Sequence, residues 1–398
     1  MKNLATVLLL LVVGCTIHQD PSLDGEEIDF NVELLGGSSV TKGAEGIDAS
    51  LVEDVNLYIF NAAGEQLLHN YFFQGNVQIE DFLFFSNDRY SVYLLVNWGE
   101  ELKVGSLDEL KEVRFVPDNL ETFADSAPLM TGVLEDVHLY DGAHIEVGLS
   151  KVYAGVNLKC NMSGLNYGVT VNVVRASLKN VPEESFLFEE NVAGSVVDGK
   201  VLEGDLLGSI KGDGVHFYML ENLQGSVPGA LDNKDKALKL TQQRRQLCSY
   251  VELECDLVSA SHRGRMVYRF YLGSGHDNCN VARNTWQEIE VRFKGNASED
   301  ENSVSVDNSA LKDRVKQVLV SPALIIFAPG AGNTYNLSVE IKPPTAFDKR
   351  VKWTTSNRNV VKVDNNGVIT TVGSGQCKVY AISLDNQSVS GYVDIRVM

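Results

Sequence analysis

The sequence predicts an all-β protein built of sandwiches in tandem. Three observations carry this. Apolar and polar residues alternate at period two through most of the chain, the mark of half-buried strands. Helical periodicity longer than about three turns is hard to find. And 34 glycines punctuate the apolar runs, which suits many short strands joined by turns.

Taken in order, Ile28, Phe30, Val32 and Leu34 alternate with Asp29, Asn31 and Glu33, the pattern of a strand with one buried face. Val55, Leu57 and Ile59 alternate with Asn56, Tyr58 and Phe60. That run ends at Asn61-Ala62-Ala63-Gly64-Glu65, a turn, and 67–73 returns as a hairpin partner. Residues 90–97 read as another strand. Ser106-Leu107-Asp108-Glu109 fits a capping box that opens a short helix through Val113. Strand patterns resume at 144–149, 152–160, 168–177, 215–220, 248–257, 266–272 and 286–293. Residues 295–315 are rich in Asn, Ser, Asp and Glu and read as a polar linker. Eight short apolar runs follow, at 318–320, 324–327, 335–339, 351–355, 360–363, 368–372, 377–382 and 389–397. About 80 residues with that spacing suit one small sandwich.

The N-terminal segment predicts export. Lys2 precedes an unbroken apolar run from Leu4 to Val13. As a helix it reaches about 15 Å, half of a bilayer's apolar core, so it reads as a secretory signal rather than a spanning anchor. Val12-Val13-Gly14-Cys15 resembles the lipobox of bacterial lipoproteins. The resemblance implies removal of residues 1–14, acylation of Cys15 and attachment to a membrane through that lipid. The plainer alternative is a signal peptide with an incidental cysteine. Residues 15–27 are polar and acidic, a flexible tether that is also similar to surface-export signals of some Gram-negative lipoproteins.

Thirty-four Lys and Arg against 53 Asp and Glu give a formal charge of −19. Such a surface repels nucleic acid and anionic headgroups. Beyond Cys15, cysteines stand at 160, 248, 255, 279 and 377. An exported protein can form disulfides, but an odd number leaves a free thiol. Cys248 and Cys255 lie about 23 Å apart along one strand and on opposite faces, so they do not bridge each other. Which of Cys160, Cys248, Cys255, Cys279 and Cys377 pair is left open, and buried thiols are the default.

Catalytic and cofactor patterns are missing from the sequence. The seven histidines (18, 69, 138, 144, 216, 262 and 276) form no metal-binding spacing. There is no nucleophile elbow and no Gly-rich phosphate loop. Ser261-His262-Arg263-Gly264-Arg265 reads as a hairpin turn. His276, Asp277, Cys279 and Arg283 share a loop and would need assembly in space to act. Lys234, Lys236, Lys239, Arg244 and Arg245, interleaved with Leu238 and Leu240, read as a solvated segment with a buried apolar edge or as an anionic-glycan contact. Asp125-Ser126-Ala127 looks like a short O-glycosylation signal. No cofactor or metal is expected, and no enzymatic activity.

Two family resemblances extend this reading. Val351-Lys352-Trp353-Thr354-Thr355-Ser356-Asn357, Val360 to Ile369 and Gly375 to Ala381 resemble a bacterial Ig-like domain of group 2. Trp353 reads as a core plug, and Asp364 to Gly367 as a tight turn in preference to a calcium loop. Residues 28–294 resemble the fimbrillin family of type V pilus subunits, anchors and tip proteins, whose domains are transthyretin-like sandwiches. The segments are Val55 to Gly64, Tyr90 to Gly99, Pro128-Leu129-Met130-Thr131-Gly132, Leu149 to Val156, Phe217 to Gly225, Tyr271-Leu272-Gly273 and Asn280 to Asn284. Lys151 and Trp286 depart from that family's usual residues.

The resemblance implies fimbrillin-like sandwiches at 28–147 and 148–294 and an Ig-like domain at 316–398. It also implies assembly by β-strand addition. Residues 28–34, with Ile28, Phe30, Val32 and Leu34, would be the removable strand and the partner edge. Gly36 to Gly43 would be the protease-accessible loop, cut between Lys42 and Gly43 where the family usually offers Arg. The Ig-like domain favours an accessory, tip or anchor subunit over a stalk repeat. Partners would be other fimbrial subunits and a surface glycan or host protein, with adhesion as the outcome. The alternative is a surface lipoprotein that binds glycan or host matrix without polymerising.

Overall fold

Why most strands form is settled by which faces of them can be buried, and the computed structural model shows those faces directly. It describes residues 26–36, 51–73, 77–84, 88–125, 127–204, 206–299, 301–311, 315–344, 346, 349–385 and 389–398. Cys15, the segment around Lys42 and Gly43, and Ser126 lie outside them.

The first sandwich is one seven-stranded sheet folded onto itself. It contains β1 (Glu26–Gly36), β2 (Asp54–Asn61), β3 (Gln66–Phe73), β4 (Val77–Phe84) and β5 (Tyr90–Val96). Helix α1 (Leu107–Lys111) follows, then the short β6 (Arg114–Phe115) outside this sheet, β7 (Met130–Val137) and β8 (Ala143–Lys151). The strand order is β3-β2-β5-β7-β8-β1-β4. The expected N-cap forms, the Ser106 hydroxyl accepting from Glu109 N, while the Glu109 carboxylate reaches back past the cap residue and accepts from Gly105 N. β2 and β5 are buried on both faces. Val55, Leu57, Ile59, Val92 and Leu94 face the sandwich core. Tyr58, Phe60, Tyr93 and Leu95 face the second sandwich. The alternation read as half-buried is therefore doubly buried, because a second domain covers the other side.

The second sandwich runs from β9 (Tyr153–Leu165) and β10 (Thr170–Lys179) through the two-residue β11 (Val181–Pro182), β12 (Ser185–Phe186) and β13 (Val196–Val197). Then come β14 (Val201–Glu203), α2 (Leu207–Lys211), β15 (Val215–Leu220) and β16 (Asn222–Ser226). Helices α3 (Asn233–Lys239) and α4 (Gln242–Leu247) precede β17 (Tyr250–Val258), β18 (Arg263–Tyr271), β19 (Asn278–Val281), β20 (Thr285–Gly295) and β21 (Ser303–Ala310). Its main sheets are β14-β10-β17-β18 and β15-β9-β20-β21. Two corrections follow. The polar stretch read as a linker contains β21, which pairs with β20 from Thr285↔Ala310 to Arg292↔Ser303 and extends this sandwich past residue 294. The basic segment near 240 is two short helices, N-capped by the Asp232 and Thr241 side chains.

The C-terminal domain holds β22 (Gln317–Ser321), β23 (Leu324–Phe327), β24 (Thr334–Asn336), β25 (Ser338–Lys342) and β26 (Val351–Thr355). β27 (Val361–Val363), β28 (Val368–Thr371), β29 (Gly375–Ser383) and β30 (Ser390–Val397) complete it. Its core is Val318, Ile325, Ile341, Val361, Ile369, Val379, Ala381, Val393 and Ile395. Trp353 is not a buried plug. It is half-buried and lies over Gly367, where a Cβ would meet the indole at 2.8 Å. The Asp364 carboxylate accepts from Asn366 N and Val368 N and closes the expected turn.

Candidate functional site

The residues predicted to form a removable strand are seated in β1. From Phe30↔Ala143 to Gly36↔Leu149, β1 runs parallel to β8. On its other side it pairs antiparallel with β4, from Glu26↔Phe84 to Val32↔Val77, with a bulge between Ile28 and Phe30. This corrects the expectation of a sheet margin at 28–34: β4 covers that side, so β1 is an interior strand. The physical reason is that β1 has two hydrogen-bonding sides, and sequence alternation reports its faces but not what lies beside it.

Phe30, Val32 and Leu34 are 1%, 5% and 5% exposed. They enter the core formed by Leu57, Ile59, Leu94, Met130, Ile145 and Val147. At roughly 1.5–3 kcal/mol per buried side chain, they hold the strand by several kcal/mol. On the outer face Asn31 and Glu33 are exposed, and the Glu33 carboxylate lies 2.7 Å from His144 Nε2. Glu146 lies beside them, so that two carboxylates and one imidazole, of Glu33, Glu146 and His144, come together on the exposed face. Chain continuity from β1 to β2 passes through residues 37–50, the segment with Lys42 and Gly43.

The other segments that carried the resemblance are polar clamps. Asn97, at φ 65°, donates to the Leu51 and Pro128 carbonyls at 2.7 Å and accepts from Glu53 N at 2.8 Å. Gly132 is required because a Cβ would meet Val147 and Leu149 at 2.8 and 2.9 Å. Glu221 is 4% exposed and holds Arg283 through Nε and Nη2 at 3.0 and 2.7 Å. It also accepts from Asn191 N and Arg283 N. Removing either charge would leave the other without its partner in a largely buried site.

The catalytic alternatives do not assemble. Ser259 and His262 exchange hydrogen bonds within the β17–β18 turn. Cys279 is buried against Cys248 while His276 is exposed. Part of the basic cluster is turned inward, while Lys234, Lys239 and Arg245 are exposed. Lys236 is fully buried and donates to the Leu272 carbonyl at 3.2 Å. Arg244 takes the Gln224 and Ser226 carbonyls, and Arg245 the Leu238 and Leu240 carbonyls. A cavity of about 550 Å³ lies beside α3 between β18 and β21, lined in part by Asn233, Arg245, Arg269, Tyr271 and Asn302. Sequence reading missed it, because β21 was read as linker.

The comparisons with known proteins agree with this architecture. Residues 314–393 match the family model of the bacterial Ig-like domain (group 2). Residues 217–291 match a domain of unknown function, DUF4906. One curated relative, a 3-O-α-D-galactosyl-α-L-arabinofuranosidase of Bifidobacterium longum subsp. longum, is 36% identical over 66 residues; that match covers 17% of this chain and 6% of the relative's length. Among solved structures, a presumed cell adhesion protein of Bacteroides eggerthii has 14% identity, with 72% of this chain and 96% of that one covered at a TM-score of 0.50. A fimbrilin of Porphyromonas gingivalis has 12% identity, with 71% and 97% covered at a TM-score of 0.47. The fold is all-β, with an Ig-like domain at the C-terminal end, and it is similar to that of the Bacteroides eggerthii structure.

Proposed function

We propose that this chain is an accessory, tip or anchor subunit of a fimbrium of the type V kind. It is held at the outer membrane by lipid on Cys15 and assembled by β-strand exchange at the β1 seat. The observation that carries this reading is β1 itself: an interior strand, tied to β2 through a Gly- and Ser-containing segment that includes Lys42. Cleavage between Lys42 and Gly43 would leave β1 held by hydrogen bonds and three apolar side chains. Its departure would expose unpaired N–H and C=O groups of β8 and β4 together with three empty core positions. A donor strand with apolar residues at alternate positions refills such a groove, backbone bonds giving affinity and the side-chain sockets giving register.

The same seat supports two fates. A chain that keeps β1 and its lipid serves as a base anchor. A chain cut at Lys42 loses its lipid and enters a fibre. The mature N-terminus distinguishes them by mass spectrometry of protein taken from the cell surface. Lipidated Cys15 means anchor, and Gly43 means assembled subunit. Absence of the chain from purified fimbriae, with any other N-terminus, would count against the proposal. The function is structural and adhesive rather than catalytic, because the polar motifs clamp backbone instead of meeting at an open nucleophile.

A second reading rests on the cavity between β18 and β21. Its arginine, asparagine and tyrosine lining suits a surface glycan or a host-matrix protein. Glycan-array binding lost in Arg269→Ala, with no fimbrial subunit co-purifying, would favour that reading.

A further inference from the structure

Two thiols meet beneath the helical segment that joins β16 to β17. A small apolar cluster closes there, made of Val227, Ala230, Leu240, Tyr271, Cys248 and Cys279. Cys248 ends α4, and its N–H donates to the Arg244 carbonyl at 2.8 Å. Cys279 lies in β19. Asn222 is the brace that brings them together. Its backbone pairs with Val281 of β19. Its side-chain amide donates to the Leu247 carbonyl and to Ser249 Oγ, each at 2.8 Å, gripping the chain on both sides of Cys248.

Cys248 and Cys279 lie together in this cluster and are 0% and 1% exposed. Cys160 and Cys255 sit in the main core of the second sandwich and Cys377 in the C-terminal domain. They are not in this cluster.

The surroundings bias the pair. The neighbouring Cys248 thiol holds the Cys279 thiol below its ordinary range against the cost of burial, and the Lys236 and Arg244 charges add to the effect. The neighbouring Cys279 thiol and burial push Cys248 up. Cys279 is thus the thiolate-forming member and Cys248 the proton-holding one.

We propose that Cys248 and Cys279 are a disulfide-forming pair, oxidised by exchange with a dithiol/disulfide oxidant in an oxidising compartment. The Cys279 thiolate attacks one sulfur of the oxidant's disulfide, forming a mixed disulfide and expelling one thiolate. Cys248 then gives up its proton and attacks the Cys279 sulfur, expelling the second. Two protons and two electrons leave the protein, and the oxidant's disulfide becomes two thiols. Burial confines the step to a state in which the α3–α4 segment has not yet closed or has locally opened. The product ties the start of β17 to β19 and fixes the helical segment over the sandwich. It is independent of the strand-exchange proposal, since neither cysteine touches the β1 seat.

The test is a thiol map of the full chain refolded with oxidised and reduced glutathione. The protein is denatured, alkylated before and after reduction, and digested. The expected result is that Cys248 and Cys279 escape alkylation until reductant is added and appear as one linked peptide pair. Cys255→Ser should keep that link, while Cys248→Ser should leave Cys279 open to alkylation. Full alkylation of both cysteines in the unreduced wild type would overturn the proposal, and so would a Cys160–Cys255 link in its place. Because the wild-type map is decisive alone, a variant that fails to fold does not rescue it.

Discussion

The two sandwiches solve the same problem in different ways. In the first, β1 runs parallel to β8 and antiparallel to β4. In the second, β20 runs parallel to β9 and antiparallel to β21. Both are interior strands, and each sends an apolar face into its own sandwich core, β20 also placing Trp286 in the core shared with the first sandwich. β20, however, is bound covalently at both ends by short connections to β19 and β21. It carries Trp286, Ile289, Val291 and Phe293, all 0–1% exposed. Trp286 lies so close over Gly155 that a Cβ there would meet the ring at 2.0 Å. β1 has Phe30, Val32 and Leu34, and the stretch 37–50 separates it from β2. The lesson is that parallel–antiparallel seating makes both strands integral to their sheets, and that only under the strand-exchange proposal does the longer connection set β1 apart.

Substitutions can break or sharpen this contrast. Trp286→Ala should cost the most, about 4–5 kcal/mol, and should unfold the second sandwich cooperatively in urea. Phe30→Ala should cost about 3 kcal/mol, felt as faster amide exchange in β1, β4 and β8 with the second sandwich unmoved. If both variants lowered both sandwiches equally, the shared core that contains Tyr58, Tyr153 and Trp286 would be dominant and the contrast would fail. Asn97→Ala removes the clamp on Leu51 and Pro128 and should cost about 2 kcal/mol, read from the urea midpoint. Glu33→Ala, at an exposed pair with His144, should move stability by less than about 1 kcal/mol.

A pH dependence completes the series. Burial lowers the pKa of His69, which stacks on Tyr58 at 4.5 Å between centroids, though Glu101 opposes the shift. The folded state therefore binds its proton less readily than the unfolded one. The stability this contributes is present above the unfolded value near 6.5 and is lost as pH falls through the lower folded value. His69→Gln should flatten that part of the first sandwich's pH profile, measured by urea unfolding between neutral and mildly acidic pH.

Much of the fold was legible because side-chain period and strand geometry share a period of two. The runs at 215–220 and 351–355 became β15 and β26 with the predicted bounds. What escaped has specific physical reasons. β21 offers inward Val304 and Val306 among Ser303, Ser305 and Asp307, too few apolar residues to stand out from a linker. α3 and α4 are seven and six residues long, too short for helical periodicity, though Asp232 and Thr241 were readable caps. The apolar face of β1 was visible in Phe30, Val32 and Leu34. Its interior position was not, since it depends on distant pairing on both sides, with β4 and with residues of β8 more than a hundred positions away.

The central claim is that β1 is an exchangeable occupant of its seat. The direct measurement is native mass spectrometry of the full chain cut after Lys42, with a synthetic peptide of residues 26–36 added after the released piece is removed. The account predicts loss of the N-terminal piece under mild denaturant, a folded remainder, and recapture of one peptide per chain. A remainder that unfolds outright, or that stays folded and takes up no peptide, would contradict it.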